Sequence, residues 1–135
     1  MNIFVENNAL IIEDDFLVAM MLQDILTTIG WNVCHTAMSE DDAVEAAIAH
    51  RPILVVSDYK LKVGDGVSAS RRIQSVMDVP VLYVSGSRGE VEQRAPMAIC
   101  VDKPFTLESI ERGIAAVLAS GSSLCDGHMG GGLQA

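Results

Sequence analysis

The chain has 135 residues, half of them hydrophobic and 4% aromatic, with nine Lys and Arg against 18 Asp and Glu and a formal net charge of −9. That length sustains one domain whose core needs neither a disulfide nor a structural metal. The basic residues are scattered, with Arg71-Arg72 the densest pair, which argues against general nucleic-acid binding because nothing neutralises a row of phosphates.

Short apolar runs alternate with amphipathic stretches. Leu10–Ile12 reads as a first strand. Val18, Leu22, Ile25 and Ile29 then mark a helical stripe over 15–29, which Gly30 closes. Trp31–Thr36 is a second strand. Ser39 opens a helix through His50, with Asp42 as its capping-box acid and Ala43, Ala46 and Ala47 as a small inner face. Pro52 stops that helix, and Ile53–Ser57 is a third strand. Gly64-Asp65-Gly66 predicts a turn, followed by a helix over Val67–Met77. Val81–Val84 and Ile99–Val101 are the fourth and fifth strands, with room between them for a helix of only about 90–94. A last helix starts at Thr106, a candidate N-cap, and runs to about Ser120 with Leu107, Ile110, Ile114 and Val117 inward. A Gly-rich tail over 121–135 is expected to be flexible.

Five successive β-α units with right-handed crossovers specify an α/β fold, a doubly wound parallel sheet with helices on both faces. Strands buried on both faces read as continuous apolar runs, as these do. The domain is expected over 1–120.

Polar groups follow three of the strands: Glu13-Asp14-Asp15 after the first, Asp58 after the third, Lys103-Pro104 after the fifth. Each alone is an ordinary turn. Jointly they fall at one rim of the sheet, where open α/β folds bind ligands. Two carboxylates about 5 Å apart repel by roughly 3 kcal/mol at an effective dielectric of about 20, so this acidic group calls for a dication. Hard oxygen donors suit Mg²⁺ better than a thiolate- or imidazole-seeking metal. A lysine beside them suits a phosphoryl group. Asp15 reads as a helix-start acid. His35, His50 and His128 are scattered and form no ligand pattern.

Cys34, Cys100 and Cys125 show no CxxC or Cys/His spacing, and the first two read as buried free thiols. The N-terminus has no basic n-region, and the longest apolar stretch, Phe16–Leu22, is too short for a bilayer. A cytoplasmic chain without a membrane partner is expected.

IIEDD, SDYKLKVGDG, PVLYVSG and DKPF, in that order over about positions 8–120, resemble the receiver domain of two-component response regulators. The resemblance implies the (βα)5 flavodoxin-like fold with strand order 2-1-3-4-5. It implies that Asp58 accepts a phosphoryl group and that Glu13 and Asp14, with Asp58 and the Lys60 backbone carbonyl, hold Mg²⁺. Lys103 then matches the lysine that contacts the phosphoryl group, and Ser85 the switch hydroxyl at the end of strand four. The implied donor is a histidine kinase or histidine phosphotransfer protein, followed by an unidentified downstream protein.

Several positions depart from the family pattern. Cys100 stands where most receivers place a Tyr or Phe that changes rotamer on phosphorylation. The segment from Ser85 to Lys103 is shorter than usual, so a short, mobile or absent fourth helix is expected. Lys62 replaces a Pro. Lys60 and Ser87 occupy positions that tune loss of the phosphoryl group, with Lys60 either a lid or a hydrated surface residue. Phe16 and Met20 lie opposite the inner stripe of the first helix and are candidates to dock a donor's helix.

The expected function is a stand-alone receiver that signals by protein–protein contact or acts as a phosphate sink. It is not expected to be an enzyme beyond phosphorylating and dephosphorylating itself. A phosphorylation-independent interaction module is the alternative. An aspartate-nucleophile phosphohydrolase of the haloacid dehalogenase type is a further one, although it wants an Asp where Lys60 stands.

Overall fold

The computed structural model describes residues 7–86 and 88–130, without the side chains of 88, 92 and 121–130. In chain order the elements are β1 (Asn8–Ile12), α1 (Phe16–Thr28), β2 (Asn32–Ala37), α2 (Glu40–His50), β3 (Leu54–Asp58), α3 (Gly66–Gln74), β4 (Val81–Ser85), α4 (Arg88–Arg94), β5 (Ile99–Asp102) and α5 (Leu107–Gly130). The five strands form one parallel sheet in the order β2-β1-β3-β4-β5, as expected.

Alternation along each strand divides the core in two. Leu10, Ile12, Val55, Val81 and Tyr83 face α2, α3 and α4, where Ala43, Ala46, Ala47, Val67, Ile73 and Val91 meet them. Ala9, Ile11, Leu54, Val56, Leu82 and Val84 face α1 and α5, against Leu22, Leu26, Ile110, Ile114 and Val117. Fully burying each large apolar side chain contributes about 1.5–3 kcal/mol, so both layers are needed to hold the sheet.

The helix ends follow local chemistry. Asp15 caps α1, its carboxylate accepting from the N–H groups of Leu17 and Val18. Gly30, at φ +104°, ends α1 in a conformation that suits glycine, and Trp31 N–H closes onto Leu26 O at 2.8 Å. Ser39 caps α2 through the Asp42 N–H. Thr106 Oγ1 accepts from Ser109 N–H, the cap expected for α5.

Four expectations need adjustment. The inner face of α1 is Ala19, Leu22 and Leu26, with Val18, Ile25 and Ile29 only half-buried. Cys34 and Cys100 are half-buried, not buried, because they lie on the two edge strands. Helix α3 ends at Gln74, three residues before Met77. Helix α5 continues past Ser120 to Gly130, since no Pro interrupts it and each Gly costs only about 1 kcal/mol relative to Ala. Of the tail expected over 121–135, residues 121–130 belong to α5 and residues 131–135 lie outside the described residues. The side chains of Cys125 and His128 lie outside them as well. Helix α4 is present and short, seven residues long. Among the described residues no helix is long and apolar enough to cross a membrane.

Candidate functional site

Register brings the polar strand ends together. Ile12 pairs with Ser57, so Glu13 and Asp58 follow side by side. Asp58 pairs with Val84 and Ser85 with Asp102, which sets Lys103 one step beyond Ser85. The Lys103 N–H then donates to Ser85 O at 3.1 Å, and Glu13 N–H to Ala37 O at 2.9 Å, extending the ladders to the rim.

There Glu13, Asp14 and Asp58 each offer a carboxylate oxygen, all within 4.8 Å of one another. Lys103 Nζ lies 3.3 Å from Asp58 Oδ1 and 3.6 Å from Glu13 Oε1. Glu13 is 1% exposed. Its Oε2 accepts from Asp15 N–H at 3.0 Å, whereas Oε1 is buried without a hydrogen-bond partner among the described residues. Asp14 accepts a short hydrogen bond from the Lys62 N–H, which ties the acidic pocket to the loop after β3.

Burial governs the electrostatics. Desolvation raises the Glu13 carboxyl to about 7, opposed by the Asp15 amide and reinforced by repulsion from Asp58. Asp58 is raised too, chiefly by desolvation, with Lys103 pulling the other way. A cation placed here would favour the charged carboxylates and oppose both rises.

The seat of Asp58 depends on a residue that the motif reading treats as a turn glycine. A Cβ on Gly66 would lie 1.9 Å from Asp58 O and 2.5 Å from Ser57 Oγ. The Gly66 N–H donates to Tyr59 O at 2.7 Å, and Ser57 Oγ donates to Asp58 O at 2.8 Å. Only glycine fits, because two stretches of backbone meet there. Sequence marks the Gly-Asp-Gly turn but not this long-range approach.

Ser85 is buried at the end of β4. Lys60 lies in the loop after β3 with an exposed side chain, and its Nζ reaches Glu90 Oε1 on α4 at 3.2 Å. Ser87 lies outside the described residues. His35 and His50 stack on each other at β2 and α2, with His35 Nε2 3.2 Å from Asp42, and neither joins the site. Beside the pocket, Phe16 and Leu17 are 68% exposed, Met21 53% and Met20 48%. Phe16 and Met20 are exposed as the helical wheel predicts. Leu17 and Met21 were missed because α1 is apolar on almost every side, which blurs its period.

A doubly wound sheet with three carboxylates and a lysine gathered at its carboxyl rim defines a module suited to a cation and an anion held together. Residues 9–115 match the model for the response regulator receiver domain, and the chain belongs to that family. It is 32% identical over 111 residues to the transcriptional regulatory protein PdtaR of Mycobacterium tuberculosis, a match covering 78% of this chain and 54% of that protein. It is 31% identical over 113 residues to the phyllosphere-induced regulator PhyR of Methylorubrum extorquens, covering 81% and 42% respectively. The chain thus spans about half the length of these curated relatives. The solution structure of the PhyR receiver domain of Erythrobacter litoralis aligns with a TM-score of 0.77 at 29% identity, over 84% of this chain and 91% of that one.

Proposed function

We propose that the chain accepts a phosphoryl group on Asp58 from a phosphohistidine of a histidine kinase or histidine phosphotransfer protein, in a Mg²⁺-dependent reaction. It then signals through protein–protein contact or acts as a phosphate sink. The observation that carries this reading is the Lys103 ammonium 3.3 Å from Asp58 Oδ1, beside a cluster of three carboxylates.

That cluster fits Mg²⁺: its donors are hard oxygens, and Glu13 Oε1 is buried without a hydrogen-bond partner among the described residues. Glu13, Asp14 and Asp58 would hold the ion, with the Lys60 carbonyl as a backbone ligand. When bound, Mg²⁺ supplies counter-charge for the incoming phosphoryl oxygens.

The chain's own residues then position the reaction. An Asp58 carboxylate oxygen attacks phosphorus; the O–P bond forms as the donor's N–P bond breaks, and that bond's electron pair stays on the imidazole nitrogen. Lys103 donates to a phosphoryl oxygen as a point charge. Ser85 supplies a hydroxyl at the neighbouring strand end. The new aspartyl phosphate adds negative charge and acceptor oxygens to the rim, so adjoining loops rearrange.

The test is incubation of the full chain with Mg²⁺ and acetyl phosphate, followed by intact mass. A gain of one phosphoryl group that is lost in Asp58→Asn and with chelator supports the proposal. No gain leaves the chain as a phosphorylation-independent interaction module. Steady release of inorganic phosphate without an adduct would favour the phosphohydrolase reading.

A further inference from the structure

Position 100 holds a thiol, and its partner in register across the sheet is Tyr83. That ring is 5% exposed and its hydroxyl shares a short hydrogen bond with Ser70 on α3. Cys100 lacks the volume of a ring, and Tyr83 is anchored. Any change at Asp58 therefore needs another route to the neighbouring surface.

Helix α4 supplies one. At seven residues it is too short to be stable alone, so its position depends on what holds it. Val91 seats it in the core at 1% exposure. Among the described residues, its polar side-chain contacts run to α3 and to the loop that directly follows Asp58. Glu90 pairs with Lys60, Arg94 Nη1 lies 2.7 Å from Asp65 Oδ2, and the Arg94 guanidinium lies 5.9 Å from the centroid of the Tyr59 ring. Arg71, on α3, donates to the Arg94 carbonyl and so caps the end of α4. On its other side the same loop is held to the acidic pocket, through the Lys62 N–H and the Asp14 carboxylate.

Resting on the reading of Asp58 as phospho-acceptor, we propose that the Tyr59–Asp65 loop relays the charge state of the pocket to α4, with Arg94 as the coupling residue. A cation and a phosphoryl group at the rim draw on the Asp14 carboxylate, which now accepts from Lys62. They also compete with Glu90 for the exposed Lys60 ammonium. The exposed Lys60–Glu90 pair is the weaker link and yields first. Arg94, holding Asp65 and Tyr59 together, carries the loop's displacement into α4.

Beryllofluoride with Mg²⁺ serves as a phosphoryl mimic, read by amide NMR shifts on the full chain. In the wild type, residues 13–14, 59–65 and 89–94 shift with one midpoint. In Arg94→Ala, residues 13–14 and 59–60 still shift, while the shifts over 89–94 shrink about fivefold or more, the size of an ordinary coupling free energy. Asp65→Asn keeps the cap on α3 but removes the ion pair, and behaves alike, which separates lost coupling from lost folding. Wild-type-sized shifts over 89–94 in both variants overturn the relay. So do stationary α4 amides in a wild type whose pocket responds. A wild type in which no pocket amide responds removes the phospho-acceptor reading itself, and the relay with it.

Discussion

Burial dominates the electrostatics of Glu13. Its folded-state carboxyl is raised from 4.5 to about 7, so between those values the folded chain holds a proton that the unfolded chain has released. Stability of the metal-free protein therefore falls as pH rises across that window. A melting series from pH 5 to 8 should show Tm declining, and saturating Mg²⁺ should remove most of the decline at the alkaline end. Glu13→Gln should flatten the pH profile and abolish the Mg²⁺ effect. Gly66 is the steric counterpart. Gly66→Ala forces a Cβ against Asp58 O and should lower stability by about 3 kcal/mol in urea unfolding, with phosphoryl labelling reduced alongside. Glu13, Asp14, Asp58 and Lys103 were legible from sequence because each follows an apolar run that only a strand explains. The need for glycine at 66, the Asp14–Lys62 bond and the Arg94–Asp65 pair were not, because each joins residues that local pattern cannot place in contact.

At the scale of elements, α1 shows what periodicity resolves and what it does not. Its sequence FLVAMMLQDILTT is apolar over its first seven residues, so the wheel separates Phe16 and Met20 from the core but misplaces part of the inner face. The proposed transfer would give the four exposed apolar side chains of α1 a use, docking an amphipathic helix that carries the donor histidine. Phe16→Ala with Met20→Ala should slow transfer from a protein donor about tenfold, with Tm and labelling by acetyl phosphate unchanged; equal slowing with acetyl phosphate would place the defect in the pocket. Helix α2 ends at Arg51 with φ +51°, a left-handed conformation that costs a non-glycine residue about 1 kcal/mol. Arg51→Gly should recover part of that cost and raise Tm slightly. The brevity of α4 followed from counting residues between Ser85 and Lys103. Its fastening to the loop after Asp58 did not.

For the whole molecule, the doubly wound parallel sheet was readable because burial on both faces gives parallel strands their unbroken apolar runs, whereas the strand order came from the family resemblance. The crossover rule then leaves few topologies. The extent of α5 was less readable, since Gly and Ser weaken a helix without forbidding it. The acidic rim adds local repulsion to a net charge of −9, so a dication bound only by the folded state should stabilise globally. Mg²⁺ at about a hundred times its Kd should add about 2.7 kcal/mol to unfolding, seen as a higher urea midpoint that chelator reverses. Asp58→Asn should lose most of that increment.

The pairing that seats Lys103 beside Asp58 also sets an order in time. The carboxylates belong to β3 and the turn after β1, which leave the ribosome early, whereas the ammonium follows β5, an edge strand. A nascent chain halted before Lys103 holds all three acids and no lysine to oppose them. On the proposed function, competence to take up phosphate therefore waits for β5 to join the sheet, and a pulse of acetyl phosphate should label only chains that extend past Lys103 and have added that edge.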